Sequence, residues 1–203
     1  MKKIDIPAEK VFFTADTHFG HEWIVGFNNR PYSSIEDMDQ GLIDNWNEVV
    51  PKDGLTFVLG DIGFTSEEKI VEIFNQLQGH KILIRGNHDK NYKEQTLQAI
   101  FSEIHELLYV RVTDDRAEKF NYMVLCHYPM LDWISSFRGA WQLFGHVHTR
   151  EIEAFNTFKS NQFAHQYDVG VDNNNYHPVS FYQVKEIIEE QRKSKLFKHS
   201  NYY

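Results

Sequence analysis

Short apolar runs alternate with amphipathic stretches along the first half of the chain. The run VFFTA at residues 11–15 is rich in aromatic and β-branched residues, which is typical of a buried strand. From Ser34 to Val50 the apolar residues recur at helical spacing, and Ser34 with Asp37 forms a predicted capping pair at the start. The pattern predicts a first unit of strand, loop and helix.

The same order continues through the next fifty residues. LTFVLG at 55–60 predicts a strand, a helix is predicted from Ser66, and KILIR at 81–85 predicts another strand. A further helix is expected near residues 92–104. Alternating strands and helices predict an α/β fold with right-handed crossovers.

Strands dominate the second half of the chain. ELLYVRV at 106–112 and FNYMVLC at 120–126 lie on either side of a polar turn, which predicts an antiparallel pair. A last helix is expected to begin at Ser180, with Gln183 at capping-box spacing. Further strands are predicted at shorter runs, at 141–144, near 151–158 and near 163–169.

Composition indicates one compact, water-soluble domain. The 203 residues contain no internal repeat, low-complexity segment or linker, so we expect a single domain over residues 1–203 with a loosely attached tail from 195 to 203. No apolar run approaches the roughly 18 residues that span a bilayer, and the amino terminus does not resemble a signal peptide. The single cysteine, Cys126, cannot form an internal disulfide. We therefore predict a cytoplasmic protein without a membrane partner.

The formal net charge of -8 bears on the class of partner. A sequence-independent binder of duplex DNA usually presents a basic face, which this charge argues against. A phosphorylated substrate is still compatible with the charge, because bound divalent cations can reverse the sign of a local site. A small phosphorylated substrate is thus the favoured partner, with nucleic acid as an alternative that the charge does not indicate.

Five predicted strands end in residues that can bind metals. In α/β folds the loops at the carboxyl ends of strands build the site, because the sheet holds their residues in fixed positions. A lone Asp or His at such a place is usually a turn or structural residue, but five such endings in one short chain indicate a cluster. The residues, in order, are Asp16 and His18, then Asp61, then Asn87, His88 and Asp89, then His127, then His146 and His148.

The residue types indicate the kind of metal. Clustered buried charges are costly unless a cation offsets them. Asp, His and Asn together suit borderline first-row divalent ions, whereas a thiolate cluster is missing and the imidazoles argue against a calcium or magnesium-only site. Seven ligands drawn from these nine residues already exceed the needs of one ion. The sequence therefore predicts two ions about 3.5–4 Å apart, bridged by one carboxylate.

The ordered motifs Asp16-x-His18, Gly60-Asp61, Gly86-Asn87-His88-Asp89, His127 and Gly145-His146-Val147-His148 resemble the calcineurin-like metallophosphoesterase superfamily. They extend from residue 16 to residue 148. More narrowly, TADTHFGH, NNRPY at 28–32 and VGVDNNNYHPVSF at 169–181 are similar to a small group of bacterial and phage phosphoesterases.

The resemblance implies a mixed-sheet sandwich flanked by helices, the four-layer α/β/β/α arrangement. It implies that a hydroxide between two metals attacks phosphorus, and that His88 assists the leaving group as a general acid or hydrogen-bond donor. Carried over residue by residue, it gives Asp16, His18 and His148 to the first metal, Asn87, His127 and His146 to the second, and Asp61 to both.

Three residues near the predicted ligands are candidates for substrate contact or for orienting a ligand. His21 and Arg30 are candidate substrate contacts, because they lie close in sequence to Asp16 and His18 and a guanidinium can hold a phosphate oxygen. Asp89 is a candidate for orienting an imidazole, with a turn residue as the alternative.

Manganese is the favoured metal, with iron, nickel, cobalt or zinc as alternatives according to supply.

The leading hypothesis is a metal-dependent phosphoric ester hydrolase, a phosphodiesterase or phosphatase, that acts on a small phosphodiester or nucleotide-type substrate. His88 suits a poor leaving group, and a chain of this length has little room for a cap domain around a narrow monoester pocket. Two alternatives are a nuclease that acts on nucleic-acid ends and a non-catalytic metal-binding scaffold for protein partners. The scaffold predicts lost ligands, and every motif position is retained.

Overall fold

The computed structural model describes residues 1–117, 119–149 and 163–194. Its ten strands are β1 Lys2–Ile4, β2 Val11–Thr14, β3 Leu55–Val58, β4 His80–Ile84, β5 Glu103–His105, β6 Leu107–Asp114, β7 Lys119–Cys126, β8 Trp141–Phe144, β9 Gln166–Asp168 and β10 Val179–Ser180 within these residues. The α-helices of the same part of the chain are α1 Glu22–Phe27, α2 Ile35–Val49, α3 Glu67–Gln76, α4 Glu94–Ile100 and α5 Phe181–Lys193.

The strands form two five-stranded sheets, and both are mixed. The first sheet has the order β10-β2-β3-β4-β5, in which β2 to β5 are parallel and β10 is antiparallel to β2. The second has the order β1-β6-β7-β8-β9, in which β6 and β7 are antiparallel and the other pairs are parallel. The predicted antiparallel pair and the predicted parallel units are both confirmed.

Alternate residues of β2, β3 and β4 face different apolar clusters. Phe13 and its neighbours pack against Val110 and Leu143 of the second sheet, so one core lies between the sheets. Phe12 instead faces the helices α1 to α4, which cover the other side of the first sheet and bury the large side chain of Trp46. This two-residue alternation is what a strand buried on both faces produces.

Helix α5 and a small third apolar cluster complete the packing. The buried residues of α5 join the core between the sheets, and a third cluster around Val124 and Trp133 covers the outer face of the second sheet. The expected fold, two mixed sheets flanked by helices, is confirmed. None of the helices in the described ranges is long and apolar enough to cross a membrane.

Helix starts follow the predicted capping residues. Ser34 accepts a hydrogen bond from the backbone N–H of Asp37, and Ser66 accepts one from Lys69. Ser180 forms the predicted capping box with Gln183. Each cap satisfies an N–H group that the helix itself leaves unpaired.

The structure differs from the sequence-based elements at several places. The helix predicted near 92–104 covers only Glu94–Ile100, because residues 103–105 pair with β4 as an edge strand. The short elements β1, α1 and β10 were missed, and the strand predicted near 163–169 covers Gln166–Asp168. The strand predicted near 151–158 and the tail from 195 to 203 lie outside the described residues.

Candidate metal centre

The seven predicted ligands converge at the carboxyl ends of strands from both sheets. The first sheet contributes Asp16, His18, Asp61 and Asn87, and the second contributes His127, His146 and His148. Within each sheet, a backbone hydrogen bond joins neighbouring loops. In the first sheet the N–H of Asp16 donates to Gly60 O at 3.0 Å, and in the second the N–H of Gly145 donates to His127 O at 2.9 Å. Parallel strands place successive strand ends at one edge of a sheet, which explains why residues so distant in sequence meet.

The ligands divide into two groups. Asp16, His18 and His148 form one, and Asp61, His127 and His146 form the other, with the candidate ligand atoms of each group within 4.8 Å of one another. Asn87 adjoins the second group, since its Oδ1 lies 3.1 Å from His127 Nε2. The carboxylate of Asp16 also ties the two sheets together, because the backbone N–H of His146 donates to it at 2.9 and 3.1 Å.

The backbone at these positions is strained. Five of the seven predicted ligands have a positive φ angle, although none is glycine: Asp16 at 58°, His18 at 52°, Asp61 at 54°, His146 at 72° and His148 at 47°. The left-handed region is uncommon for residues with a Cβ atom, and such strain concentrates at functional sites. The conformation turns each side chain sharply at its strand end, toward the shared centre.

Two motif glycines are required by close approach. A Cβ atom on Gly86 would lie 2.2 Å from Asp61 Oδ1, and one on Gly145 would lie 2.5 Å from Asp16 Oδ2. Both carboxylates are buried, so neither has room to move aside. The glycines of the GN and GH motifs therefore keep space for the two acidic ligands.

In the first group, His18 is already in the neutral state that a metal ligand needs, and Asp16 requires a cation to stay ionised. Burial and the charge of His148 lower the pKa of His18 well below its ordinary value, so its imidazole is neutral. His18 Nε2 is buried with no hydrogen-bond partner among the described residues, and it lies 3.8 Å from Asp61 Oδ2. A buried lone pair without a donor is costly, and a cation would satisfy it. Burial raises the pKa of Asp16 to about 7, so this carboxylate also needs a nearby positive charge.

The second group is organised around Asp61 and His127. His127 Nδ1 lies 2.6 Å from the carbonyl oxygen of Leu59, so it carries the proton and leaves Nε2 facing Asp61 Oδ2 at 3.5 Å. Burial opposes ionisation of both groups, but the His127 contact lowers the pKa of Asp61 to about 2. The same contact and the charge of Asp16 raise the pKa of His127 to about 9. The carboxylates therefore attract positive charge to this position, and the residues fit a pair of divalent cations.

His148 is held by residues behind the centre. Its Nδ1 lies 2.7 Å from Asp172 Oδ2 and 2.8 Å from Asn28 Nδ2, so Nε2 is the ring nitrogen left to bind a metal. Carboxylates that accept from the second nitrogen of a metal-binding imidazole fix its tautomer and orientation. Asp172 was missed in the sequence, although it is the only acidic residue of the stretch VGVDNNNYHPVSF that carried the narrower resemblance.

The hypothesis that Arg30 contacts substrate is wrong for this structure. Its side chain has no solvent exposure and forms a bidentate ion pair with Asp172, at 3.0 and 2.8 Å. It also donates to the carbonyl oxygens of Asp16 at 2.7 Å and Thr17 at 2.9 Å. Its planar fork is thus used within the protein, where it supports the backbone of one ligand and the partner of another.

Asp89 holds backbone rather than an imidazole. Its carboxylate accepts from the N–H groups of Asp61 at 3.1 Å, Ile62 at 2.9 Å and Gly86 at 2.7 Å. The expected hydrogen bond to a histidine does not occur among the described residues. Asp89 therefore clamps the loop after β3 to the loop after β4. Asp168, also missed in the sequence, does the same for the backbones of Thr149 and Gly170.

His88 and His21 lie at the rim of the centre. The His88 side chain is 38% exposed, and its Nε2 lies 3.8 Å from Asp61 Oδ2. His21 Nδ1 lies 3.3 Å from His18 Nδ1. Between them is Phe64, whose ring centroid is 4.1 Å from that of His21 and 4.5 Å from that of His88. Nothing in the sequence distinguished Phe64 from a core residue.

Comparison with known proteins identifies the family. The model of the family described as calcineurin-like phosphoesterase matches residues 9–166. The chain belongs to this family. The matched region includes every predicted metal ligand, from Asp16 to His148.

Several proteins are similar to this family member. An uncharacterised protein of Methanocaldococcus jannaschii is 32% identical over 183 residues, which cover 89% of this chain and 92% of that protein. The gene 66 protein of Mycobacterium phage D29 is 27% identical over 165 residues, 71% of this chain and 81% of that protein. The crystal structure of an Aquifex aeolicus protein of unknown function has a TM-score of 0.64 at 25% identity, and the match covers 87% of this chain and 98% of that one. Family membership implies a metal-dependent phosphoester hydrolase.

Proposed function

We propose that the protein hydrolyses a small phosphodiester or nucleotide-type phosphate ester with two divalent metal ions, manganese being the favoured ion. The observation that carries the proposal is the convergence of the two ligand groups, with the unpaired Nε2 of His18 buried between them. Such a pair of ions supplies positive charge for phosphate oxygens and activates water at neutral pH.

The protein side chains divide the work of holding this pair. Asp16, His18 and His148 provide one carboxylate and two imidazoles, while His127, His146 and Asn87 provide two imidazoles and an amide oxygen. Asp61 contacts both groups, with Oδ2 at 3.8 Å from His18 Nε2 and 3.5 Å from His127 Nε2. This position between the groups suits a bridging carboxylate.

His88 is proposed to protonate the leaving oxygen. Its backbone N–H donates to Asp61 Oδ1 at 2.9 Å, which fixes the residue beside the proposed bridging ligand. Its imidazole is partly exposed, so it can face both the bound ester and water. Histidine is the side chain best suited to proton transfer near neutral pH.

The test compares two chromogenic substrates on metal-free protein that is titrated with Mn²⁺. Bis(4-nitrophenyl) phosphate reports diester hydrolysis, and 4-nitrophenyl phosphate reports monoester hydrolysis. The variants are Asp61→Asn and His88→Ala, and His80→Ala is the matched control because it is exposed at the opposite end of β4. Metal content is measured for each variant so that lost activity can be separated from lost metal.

We expect turnover that requires Mn²⁺ and is faster with the diester. Asp61→Asn should abolish it, His88→Ala should reduce it by about 100-fold, within the usual range for general acid catalysis, and His80→Ala should leave it unchanged. Absence of turnover of either substrate with two ions bound would contradict the proposal and favour the non-catalytic scaffold.

A further inference from the structure

Helix α1 is attached to the metal centre at both ends. His21, which precedes the helix, contacts His18 through their Nδ1 atoms at 3.3 Å. Asn28, which follows it, reaches His148 Nδ1 at 2.8 Å. The residues that flank the helix therefore both contact ligands of the first group.

The free side of α1 presents two large aromatic residues. Trp23 is 80% exposed and Phe27 is 82% exposed, and their spacing of four residues places them on one face of the helix. The other three tryptophans of the chain, Trp46, Trp133 and Trp141, are buried. Paired exposed aromatics next to a functional site are characteristic of binding surfaces, because leaving them in water is unfavourable.

These aromatics line a groove of about 570 Å³. Among the described residues, it is bounded by His21, Glu22, Trp23, Ile24, Gly26 and Phe27. This volume lies within the range of small-molecule sites. Among its described lining residues Glu22 is the only carboxylate, and none is a lysine or arginine, so this part of the groove repels an anionic group and suits an uncharged one.

A row of rings connects the groove to His88. Phe64 stacks on His21 with centroids 4.1 Å apart and lies 4.5 Å from the His88 ring. His21 also borders the groove, so two ring contacts separate the groove from His88. Because His88 is the proposed proton donor to the leaving oxygen, a substituent on that oxygen that extended along Phe64 and His21 would reach α1.

We propose that this groove binds the leaving group of the substrate, and that the leaving group is a flat, uncharged aromatic alcohol of the aryl or nucleoside class. The proposal rests on the proposed function, because His88 defines the leaving-group side. Trp23 and Phe27 are the specificity-determining residues, and Phe64 continues their apolar surface to the reacting oxygen.

The test measures binding of two non-hydrolysable phosphonates to the manganese-loaded protein. Benzylphosphonate carries an aromatic ring where methylphosphonate has only a methyl group, and both have the same phosphonate group. Trp23 is the only exposed tryptophan, so the change in fluorescence and in acrylamide quenching reports a ligand that covers it. Affinity is measured independently by calorimetry.

In the parent protein, benzylphosphonate should bind about tenfold more tightly than methylphosphonate, which corresponds to about 1.4 kcal/mol, and should shield Trp23 from acrylamide. Trp23→Ala and Phe27→Ala should each reduce this ratio to within about threefold of unity, with two metal ions retained. Phe120→Ala is the control, because Phe120 is 48% exposed near the opposite end of β7 from His127, and it should keep the full ratio.

The proposed subsite would be contradicted if the parent bound both phosphonates equally tightly. It would also be contradicted if the preference for benzylphosphonate remained in both Trp23→Ala and Phe27→Ala. Turnover of bis(4-nitrophenyl) phosphate by the same preparation separates the two proposals. If turnover depends on manganese while the ratio is unity, the subsite fails and the hydrolase function stands. If turnover is absent with two ions bound, the function itself fails.

Discussion

Replacement of Arg30 by methionine should destabilise the protein more than any comparable change at the surface. The guanidinium and the Asp172 carboxylate are both buried, with side-chain exposures of 0% and 1%, and they are joined by two hydrogen bonds. Methionine fills similar space but leaves the carboxylate without its cation. It also removes the donors to the carbonyl oxygens of Asp16 and Thr17.

The expected loss is about 3–5 kcal/mol, which is the cost of breaking a buried ion pair from one side. A loss of this size is a large fraction of the about 5–15 kcal/mol by which domains are usually stable. Removing both partners, as in Arg30→Met with Asp172→Leu, should cost less than the sum of the single changes, because no uncompensated charge remains. The double variant thus tests whether charge rather than packing causes the loss.

The assay is urea unfolding monitored by fluorescence, with a chelator present so that metal binding does not contribute. Lys69→Met is the control, because the Lys69–Glu72 pair is exposed at 3.1 Å and is expected to contribute less than about 0.5 kcal/mol. A loss below about 1 kcal/mol for Arg30→Met, or strict additivity in the double variant, would refute the reasoning.

Three further predictions concern other parts of the fold. Gly145→Ala places a Cβ atom 2.5 Å from Asp16 Oδ2, so manganese affinity should fall by about 10–100-fold in a calorimetric titration; unchanged affinity would contradict this. Burial opposes ionisation of Asp114, but its hydrogen bond with Lys185, 2.6 Å long, lowers its pKa. The stability that the ionised Asp114 adds should be present above about pH 4 and lost below it. The difference in unfolding free energy between the parent and Asp114→Asn, measured by urea titration, should therefore become smaller on acidification. Ser180→Ala removes the cap of α5 and should cost about 1 kcal/mol, or about 2–4 °C in thermal unfolding, whereas a shift below about 0.5 °C would show that the cap is unimportant.

The metal ligands could be predicted because local and global signals agree at their positions. Asp16, Asp61, Asn87 and His127 each follow an apolar run, and parallel pairing brings such strand ends to one edge. The helix starts at Ser34, Ser66 and Ser180 could be predicted for a similar reason, since a cap and its helix are neighbours in sequence.

The supporting residues could not be predicted in the same way. Arg30 and Asp172 are 142 positions apart, so nothing local indicates that the guanidinium is neutralised inside the protein rather than facing a phosphate. For Asp89 the alternatives were to orient an imidazole or to be a turn residue, and neither includes its backbone hydrogen bonds, which depend on the approach of two loops. Phe64 resembles any core aromatic until the positions of His21 and His88 are known.

Some errors in the predicted helices and strands also arise from contacts that are distant in sequence. The predicted helix extended to residue 104, yet residues 103–105 form an edge strand, since pairing with β4 overrides the local preference of residues 103 and 104. Helix α1 is only six residues long, too short to show a periodic pattern, and its outward aromatics would have been counted as core. Tertiary pairing and loop geometry, which are not encoded locally, account for these differences.

The number of manganese ions bound per chain is the most direct measurement of the proposed centre. Metal-free protein would be dialysed against Mn²⁺ and analysed by mass spectrometry of the metal, in parallel with His148→Ala and His127→Ala. We expect two ions per chain in the parent and one in each variant, since each histidine belongs to a different group. One ion or none in the parent, or two ions in both variants, would contradict a centre built from these seven side chains.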